Sequence, residues 1–262
     1  MGYTTGGKGL MNRDHKVMRG LECTAVLAAG IAAILWIAPA SSSAAAPQNV
    51  AGYTVQAGAG GTVSGKITYD GKPVKAKKVT VTQDQGACGS MKEMDPVEIK
   101  DGGVANAVVW IDDITKGKAF AYPAPTIDQK GCMFMPHVIV MAPGELKVTN
   151  SDQAAHNVHI FSKANRAFNQ VMPPGSDPLS ISLFRPDTVI VRCDVHTWMQ
   201  GYVVVAKNPY YAISGSGGSF SLADVPAGTY HLSVWQETLG TKTQEITVEA
   251  GKTTTADITL GK

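Results

Sequence analysis

Cys193-Asp194-Val195-His196-Thr197-Trp198-Met199 places a thiol, an imidazole and a thioether at intervals of three residues on one short loop. Thiolate and imidazole ligands hold copper in a trigonal plane, with a thioether as a weak axial ligand, in sites that transfer single electrons. The loop lacks a second imidazole, and His156 stands upstream where a polar turn leads into an apolar strand. We therefore predict a copper site formed by His156, Cys193, His196 and Met199.

The residues before the loop predict a buried strand. Val189, Val191 and Cys193 occupy alternate positions of an apolar run, and alternate side chains of a strand share one face. The thiol of Cys193 is therefore expected to leave the strand on its apolar side, where the sulfur is shielded from water.

Three segments carry a resemblance to a known family. They are the His-Asn-Val-His run at 156–159, the Cys-x2-His-x2-Met loop at 193–199, and Phe134-x-Pro136 leading through Gly144 to Asn150. Over residues 130–207 the chain resembles the cupredoxins, the small blue-copper proteins, and most closely their amicyanin-like branch. The resemblance implies a Greek-key β-sandwich with His156, Cys193 and His196 as equatorial ligands and Met199 as the axial ligand. Asp187-Thr188-Val189 departs from the Gly-x-Tyr usual before the cysteine strand.

The resemblance also implies roles for neighbours of the ligands. Asn157 is expected to hydrogen-bond the ligand loop and hold it rigid. His196 is expected to reach through an apolar surface patch and act as the electron port, with Trp198 and the Pro173-Pro174-Gly175 turn around it.

Other metal sites can be drawn from the same residues. A zinc site could combine His156, His159, Cys193 and His196, since zinc accepts four Cys and His ligands. His156 and His159 are three positions apart, so both can face one metal only if the strand breaks between them.

His137 precedes the ligand strand and is a further candidate to approach the metal, while His159 is expected to be structural. Methionines in the region are interpreted as side chains that fill irregular gaps in the core. These methionines are Met133, Met135, Met141 and Met172.

Residues 1–46 have the pattern of an export signal. Four basic residues precede an apolar run from about Thr24 to Ala40, and small residues follow to Ala46, as in a secretory signal peptide. The pattern predicts a periplasmic protein, with membrane attachment only if the segment is not cleaved.

Three cysteines remain after position 46, and an odd number in an oxidising compartment indicates one disulfide and one special thiol. If Cys193 holds copper, Cys88 and Cys132 form the pair, each in a turn flanked by glycine. The alternative is two separate buried thiols.

The charge of the chain excludes one class of partner. Without residues 1–46 the chain has 19 Lys and Arg against 19 Asp and Glu. A neutral body without a basic run lacks the electrostatic footprint of a nucleic-acid-binding protein, so we expect no nucleic-acid partner.

The chain after position 46 is rich in short alternating runs separated by Gly, Pro, Asn and Asp, which predicts an all-β fold. Two flanking segments, 65–74 and 217–230, resemble halves of the carboxypeptidase regulatory-like, prealbumin-like β-sandwich. We therefore expect a split sandwich of residues 60–82 and 212–261, with a copper domain of residues 83–211 inserted. The alternative is that the N-terminal strands pack on the copper domain.

These features together predict a function. The expected activity is single-electron transfer between redox partners such as c-type cytochromes, with one copper ion as cofactor. The alternative is a copper-binding or copper-delivery protein in which methionines serve cuprous ion. Catalysis is not expected, because copper enzymes need additional imidazole-rich centres and only five histidines follow position 46.

Overall fold

The computed structural model describes Gly2 and residues 50–56, 58–72 and 74–261. The expected export signal at 1–46 lies outside the described residues apart from Gly2. No helix within the described residues is long and apolar enough to cross a membrane.

The predicted all-β class is confirmed, since the described chain contains strands and one helix of a single turn, α1 (Gln85–Cys88). The strands are β1 (Thr54–Val55), β2 (Gly61–Tyr69), β3 (Lys77–Thr80), β4 (Met91–Met94), β5 (Ile99–Lys100), β6 (Gly103–Val104), β7 (Val108–Ile111), β8 (Lys116–Gly117), β9 (Thr126–Gln129), β10 (Phe134–Met135), β11 (Val138–Met141), β12 (Gly144–Asn150), β13 (His156–Phe161), β14 (Phe168–Met172), β15 (Leu179–Leu183), β16 (Asp187–Arg192), β17 (Gln200–Val205), β18 (Tyr211–Ile213), β19 (Ser219–Val225), β20 (Gly228–Gln236), β21 (Gly240–Val248), β22 (Thr253–Thr255) and β23 (Ile258–Leu260).

Two sheets enclose the core that contains the candidate ligands. One has the strand order β10-β9-β12-β15 and the other β11-β17-β16-β13-β14. Alternate residues of their strands point inward, as Val189 and Val191 of β16 show by their complete burial. The inward side chains of both sheets form one apolar cluster that includes Cys193 and Met199, so the candidate site lies at the edge of a dry β-sandwich core.

A second sandwich surrounds a separate core. Its sheets are β18-β7-β20-β21 and β19-β2-β6-β5, with β22 and β23 also paired to β2. The long strand β2 runs antiparallel to β19 and parallel to β22 and β23. Residues 61–69 therefore pair with residues 219–260, far away in the sequence, because their apolar faces need this partner to leave water.

Strand β7 belongs to the second sandwich by its hydrogen bonds. It pairs with β18 and β20, whereas the boundaries expected from the sequence put residues 83–211 in the copper domain. Its sequence Val-Val-Trp-Ile is apolar on both faces, and both faces are covered. A further apolar cluster covers the second face, because it joins Val108 of β7 to Val138, Tyr202 and Val204 of the sheet β11-β17-β16-β13-β14.

The segment between β3 and β4 covers the end of the core that contains the candidate ligands. The two strands form a separate hairpin, and α1 lies in the connection. Val81 and Cys88 turn into the core cluster, while the intervening residues 82–87 are exposed. We call residues 81–90 the cover segment.

Candidate metal centre

The structure brings together three of the four predicted ligands. Donor atoms of His156, Cys193 and His196 all lie within 4.8 Å of one another, and all three side chains are buried. A thiol and two imidazoles in this arrangement match the softness and geometry that copper and zinc prefer. The convergence joins residues from two separate strands, since His156 opens β13 and Cys193 directly follows β16.

Strand pairing fixes the relative position of these two elements. β13 runs antiparallel to β16, with His159 opposite Arg192, so the start of one strand lies beside the end of the other. The loop after Cys193 closes tightly, because the N–H of Met199 donates to the carbonyl of His196 at 2.8 Å and the N–H of Cys193 donates to the carbonyl of Met199 at 3.2 Å. These backbone hydrogen bonds therefore hold Cys193, His196 and Met199 in fixed positions on the loop.

Each imidazole turns one nitrogen inward and the other towards a carboxylate. The Nδ1 atoms of His156 and His196 are 2.8 Å apart. Nε2 of His156 lies 2.9 Å from Asp152, and Nε2 of His196 lies 3.1 Å from Asp84. A carboxylate on the outer nitrogen is the usual partner of a metal-binding histidine, because it fixes the tautomer and the ring orientation.

Electrostatics at His156 favour the neutral form. Burial lowers the pKa of His156 below its ordinary value, although the hydrogen bond to Asp152 acts in the opposite direction. A neutral imidazole has a lone pair available for a metal, so the environment prepares this side chain for coordination.

The sulfur of Cys193 accepts hydrogen bonds from the backbone. The N–H of His196 donates at 3.3 Å and the N–H of Asn157 donates at 3.5 Å. Hydrogen bonds to a ligand sulfur hold it in place and tune its electron density when it binds a metal. Water cannot replace them, since Cys193 is only 3% exposed.

Asn157 connects the strand of one ligand to the loop of the others. Its Oδ1 accepts a hydrogen bond from the N–H of Asp194 at 2.5 Å, and its Nδ2 donates to the carboxylate of Asp194 at 2.9 Å and to Asn169 at 2.7 Å. The side chain is 3% exposed. Three short bonds from one buried amide hold the loop in register with β13.

Met199 lies in the same core cluster as Cys193 and is fully buried. Met172, opposite His156 in the register of β13 and β14, is also buried. Its sulfur accepts a hydrogen bond from Gln129 Nε2 at 3.1 Å. A thioether already engaged in this way is less suited to a metal, so Met199 remains the candidate axial ligand.

Two histidines that were considered as ligands point elsewhere. His159 bonds the carboxylate of Asp194 at 2.9 Å, consistent with strand alternation. His137 lies 2.6 Å from Glu237 and packs edge-on against Tyr202. Within the described residues neither belongs to the ligand group, so the zinc set that includes His159 does not form.

The expected electron port at His196 is wrong. His196 is completely buried, because the cover segment lies against its outer edge. Asp84 bonds Nε2, and the sulfur of Cys88 lies 3.8 Å from the same nitrogen. The imidazole therefore does not reach an apolar surface patch.

The expected disulfide between Cys88 and Cys132 is present, with the two Cα atoms 5.4 Å apart. It ties the cover segment to the turn before β10. Trp198 of the ligand loop donates from Nε1 to the carbonyl of Cys132 at 3.0 Å, and its ring centroid is 5.0 Å from that of His196. Trp198 is thus a contact between the ligand loop and the anchored turn.

Sequence reasoning missed Asp84 and Asp152. Asp152 stands four residues before His156 in the polar turn, so its proximity could have been anticipated. It also receives hydrogen bonds from the N–H groups of Gly131 and Cys132 at 2.7 Å. Asp84 is 112 positions from His196, and no local pattern indicates that contact.

A family model supports the second sandwich. The model of the carboxypeptidase regulatory-like domain matches residues 191–261. The matched range begins at the end of β16, includes the ligand loop and β17 of the first sandwich, and continues through β18 to β23 of the second. No curated protein matches the chain.

Solved structures resemble the chain over about a third of its length. They include a Cu-containing nitrite reductase from Thermus scotoductus SA-01 (20% identity, 34% of this chain and 24% of that chain, TM-score 0.30). They also include a purple cupredoxin from Nitrosopumilus maritimus (19%, 31% and 99%, 0.28) and a variant of amicyanin in its reduced Cu(I) form at pH 4 (22%, 33% and 85%, 0.29). The chain thus spans about a quarter of the nitrite reductase.

Proposed function

We propose that this protein is a type 1 copper protein that transfers single electrons between redox partners in the periplasm. One observation carries the proposal. Two imidazoles turn Nδ1 towards each other beside the sulfur of Cys193, and each Nε2 bonds a carboxylate, in a buried setting. Such convergence of soft and borderline ligands is costly to assemble in a core unless a metal occupies it.

Copper bound here would supply a one-electron redox couple. His156, Cys193 and His196 would hold the ion, with Met199 as the candidate fourth ligand. Asp152, Asp84 and the amide of Asn157 keep these side chains in one geometry, and the apolar core excludes water. Fixed ligands reduce the rearrangement between oxidation states, which favours rapid electron exchange.

The buried position of the ligands favours a carrier over a delivery protein. The cover segment lies over the outer edge of His196 and is anchored by the Cys88–Cys132 disulfide, which would slow the release of an ion along this edge. Both groups of three or more potential ligands in the described part of the chain contain His156, so they amount to one centre. We therefore propose a carrier and not an enzyme, with a redox protein such as a c-type cytochrome as partner.

A visible spectrum tests the proposal. Addition of cupric ion to the exported protein should produce an intense thiolate-to-copper charge-transfer band. Cys193→Ser should abolish the band, because the sulfur provides the transition. A colourless protein loaded with zinc under the same conditions would contradict the proposal. Anaerobic mixing with a reduced c-type cytochrome should then bleach the band as electrons arrive.

A further inference from the structure

A groove on the other side of the Cys132 turn is lined by soft metal ligands. The cavity has a volume of about 410 Å³. The potential ligands on its wall are three thioethers, one imidazole and four carboxylates: Met94, Met133, Met135, His137, Glu93, Asp95, Glu98 and Glu237. None of these residues belongs to the candidate centre described above, and no lysine or arginine lines the cavity.

The methionines of the groove do not act as core fillers, contrary to the expectation from the sequence. Met135 is 50% exposed, and Met133 and Met94 are only partly buried. Met141 and Met172, by contrast, are completely buried and fit that expectation. Phe134, between the two groove methionines, fills the core in their place. Exposed side chains gain little free energy from burial, so packing explains little of these methionines. Their thioether sulfurs are instead open to the groove.

His137 lines the groove, and its ring is held by a carboxylate. Its Nε2 lies 2.6 Å from Glu237, which fixes the ring in the same way as the carboxylates at the candidate centre. Within the described residues Nδ1 of His137 has no hydrogen-bond partner. The imidazole is partly exposed, so this nitrogen is available to an ion in the groove.

The combination of ligands determines which ion fits. Thioethers are soft and prefer cuprous ion to hard cations such as calcium or magnesium. The surrounding carboxylates raise the local concentration of cations without being obligatory ligands. Flexible methionine side chains adapt to one ion without a rigid site. A monovalent soft cation therefore matches the groove better than a divalent hard one.

We propose that this groove binds one cuprous ion through the sulfurs of Met133 and Met135 and Nδ1 of His137, with Met94 of the groove wall as a further candidate ligand. The site does not depend on the proposed function of Cys193. The two regions are nevertheless adjacent along the backbone, because the carbonyl of Cys132 bonds Trp198 of the ligand loop and Met133 is the next residue.

The experiment uses the exported chain with Cys193→Ser and 13C-labelled methionine methyl groups. Cuprous ion is added anaerobically with ascorbate, which keeps the Cys88–Cys132 disulfide oxidised, in competition with a chromophoric Cu(I) chelator. Cu(I) is diamagnetic, so methyl signals remain visible. We expect the signals of Met133 and Met135 to shift as one equivalent binds.

The double variant Met133→Leu/Met135→Leu should weaken this binding on the order of tenfold or more, as loss of ligands or their supports typically does. Leucine conserves volume, so folding is expected to persist. Met91→Leu is the matched control, since Met91 is 56% exposed and lies outside the groove. It should leave the affinity unchanged.

Two results would overturn the proposal. Shifts confined to Met199 would place the ion at the remaining ligands of the candidate centre. Equal binding of Cu(I) and Zn(II) that is unaffected by the double variant would show that the carboxylates alone attract cations. The proposed function of Cys193 has a different readout. Met133→Leu/Met135→Leu in the otherwise unchanged chain should retain the thiolate-to-copper band, so loss of groove binding can be told apart from loss of the copper centre.

Discussion

Asp84 Oδ2 lies 3.1 Å from Nε2 of His196, although the two residues are 112 positions apart. The contact places a carboxylate on the outer edge of an imidazole whose inner edge faces His156 and Cys193. The side chain of Asp84 is 43% exposed whereas that of His196 is fully buried. An electron that enters or leaves along this edge must therefore pass the cover segment.

Loss of the charge at Asp84 should weaken copper binding. Asn tolerates the left-handed backbone at this position, where φ is 53°, so Asp84→Asn changes the charge with little strain. We expect an affinity loss of about tenfold or more, as for other carboxylates that support a metal-binding histidine. Competition with a chelator measures it. Asp177→Asn, at an exposed aspartate away from the site, is the control, and equal affinities for both variants would contradict the role of Asp84.

Removal of the Asn157 amide should loosen the ligand loop. Asn157→Ala leaves the N–H of Asp194 without its partner and should lower the free energy of unfolding by about 1–3 kcal/mol. Denaturant unfolding of the copper-free protein measures the change, and the copper affinity should fall as well. Asn165→Ala removes bonds to Ser162 and Arg185 instead. We expect that variant to lose stability and keep its copper affinity.

The disulfide should stabilise the folded state and hold the cover segment over the candidate centre. Cys88 and Cys132 are separated by 44 positions, and loop-closure entropy gives about 4 kcal/mol for a loop of this length. Cys88→Ser/Cys132→Ser should therefore lower the melting temperature. Copper should also pass to a chelator faster, since the cover segment is released from the Cys132 turn. An unchanged rate of copper loss would show that the segment stays closed without its covalent anchor.

Asp187 should make stability depend on pH in the acid range. Burial raises the pKa of Asp187, but hydrogen bonds from Ser162 and from the backbone N–H groups of 163, 164 and 188 outweigh it, and the pKa lies below its ordinary value. The unfolded chain therefore binds a proton at higher pH than the folded chain. The stabilisation is complete above the unfolded value of about 3.9 and is lost as the pH falls through the lower folded value.

Asp187→Asn tests this dependence. We expect the variant to be less stable than the parent protein at neutral pH, and we expect this difference in the free energy of unfolding to shrink as the pH falls. Denaturant unfolding from pH 7 to below the unfolded pKa of about 3.9 measures the difference. Asp177→Asn should show a smaller effect at every pH. A difference that stays constant into acid would mean that the charge of Asp187 is not its source.

The ligand loop and the polar turn before His156 were sufficient to predict which side chains meet. Local spacing places Cys193, His196 and Met199 on one loop, and the alternation in β16 predicts the buried sulfur. The odd number of cysteines after position 46 indicates one disulfide and one separate thiol. These features depend on residues a few positions apart or on the number of cysteines, so they can be predicted from the sequence alone.

Other features depend on contacts between distant segments. The sequence suggested an exposed His196, yet the cover segment buries it, because α1 brings Asp84 and Cys88 over the ring. The sequence also does not show to which sheet β7 belongs. Its apolar residues fit either sandwich, and its pairing with β18 and β20 assigns it to the second.

The amino-acid sequence by itself determined the all-β class and the Cys and His side chains that meet at the candidate centre, and it favoured the pairing of Cys88 with Cys132. Periodicity, ligand spacing and the odd cysteine carry that information within a few residues. Only the tertiary structure decided which carboxylates orient the imidazoles, that His196 is shielded, and that Met133 and Met135 face a groove while Met141 and Met172 fill the core. Those outcomes follow from how separate strands pack, since burial is a property of the neighbours that a side chain meets and not of its own identity.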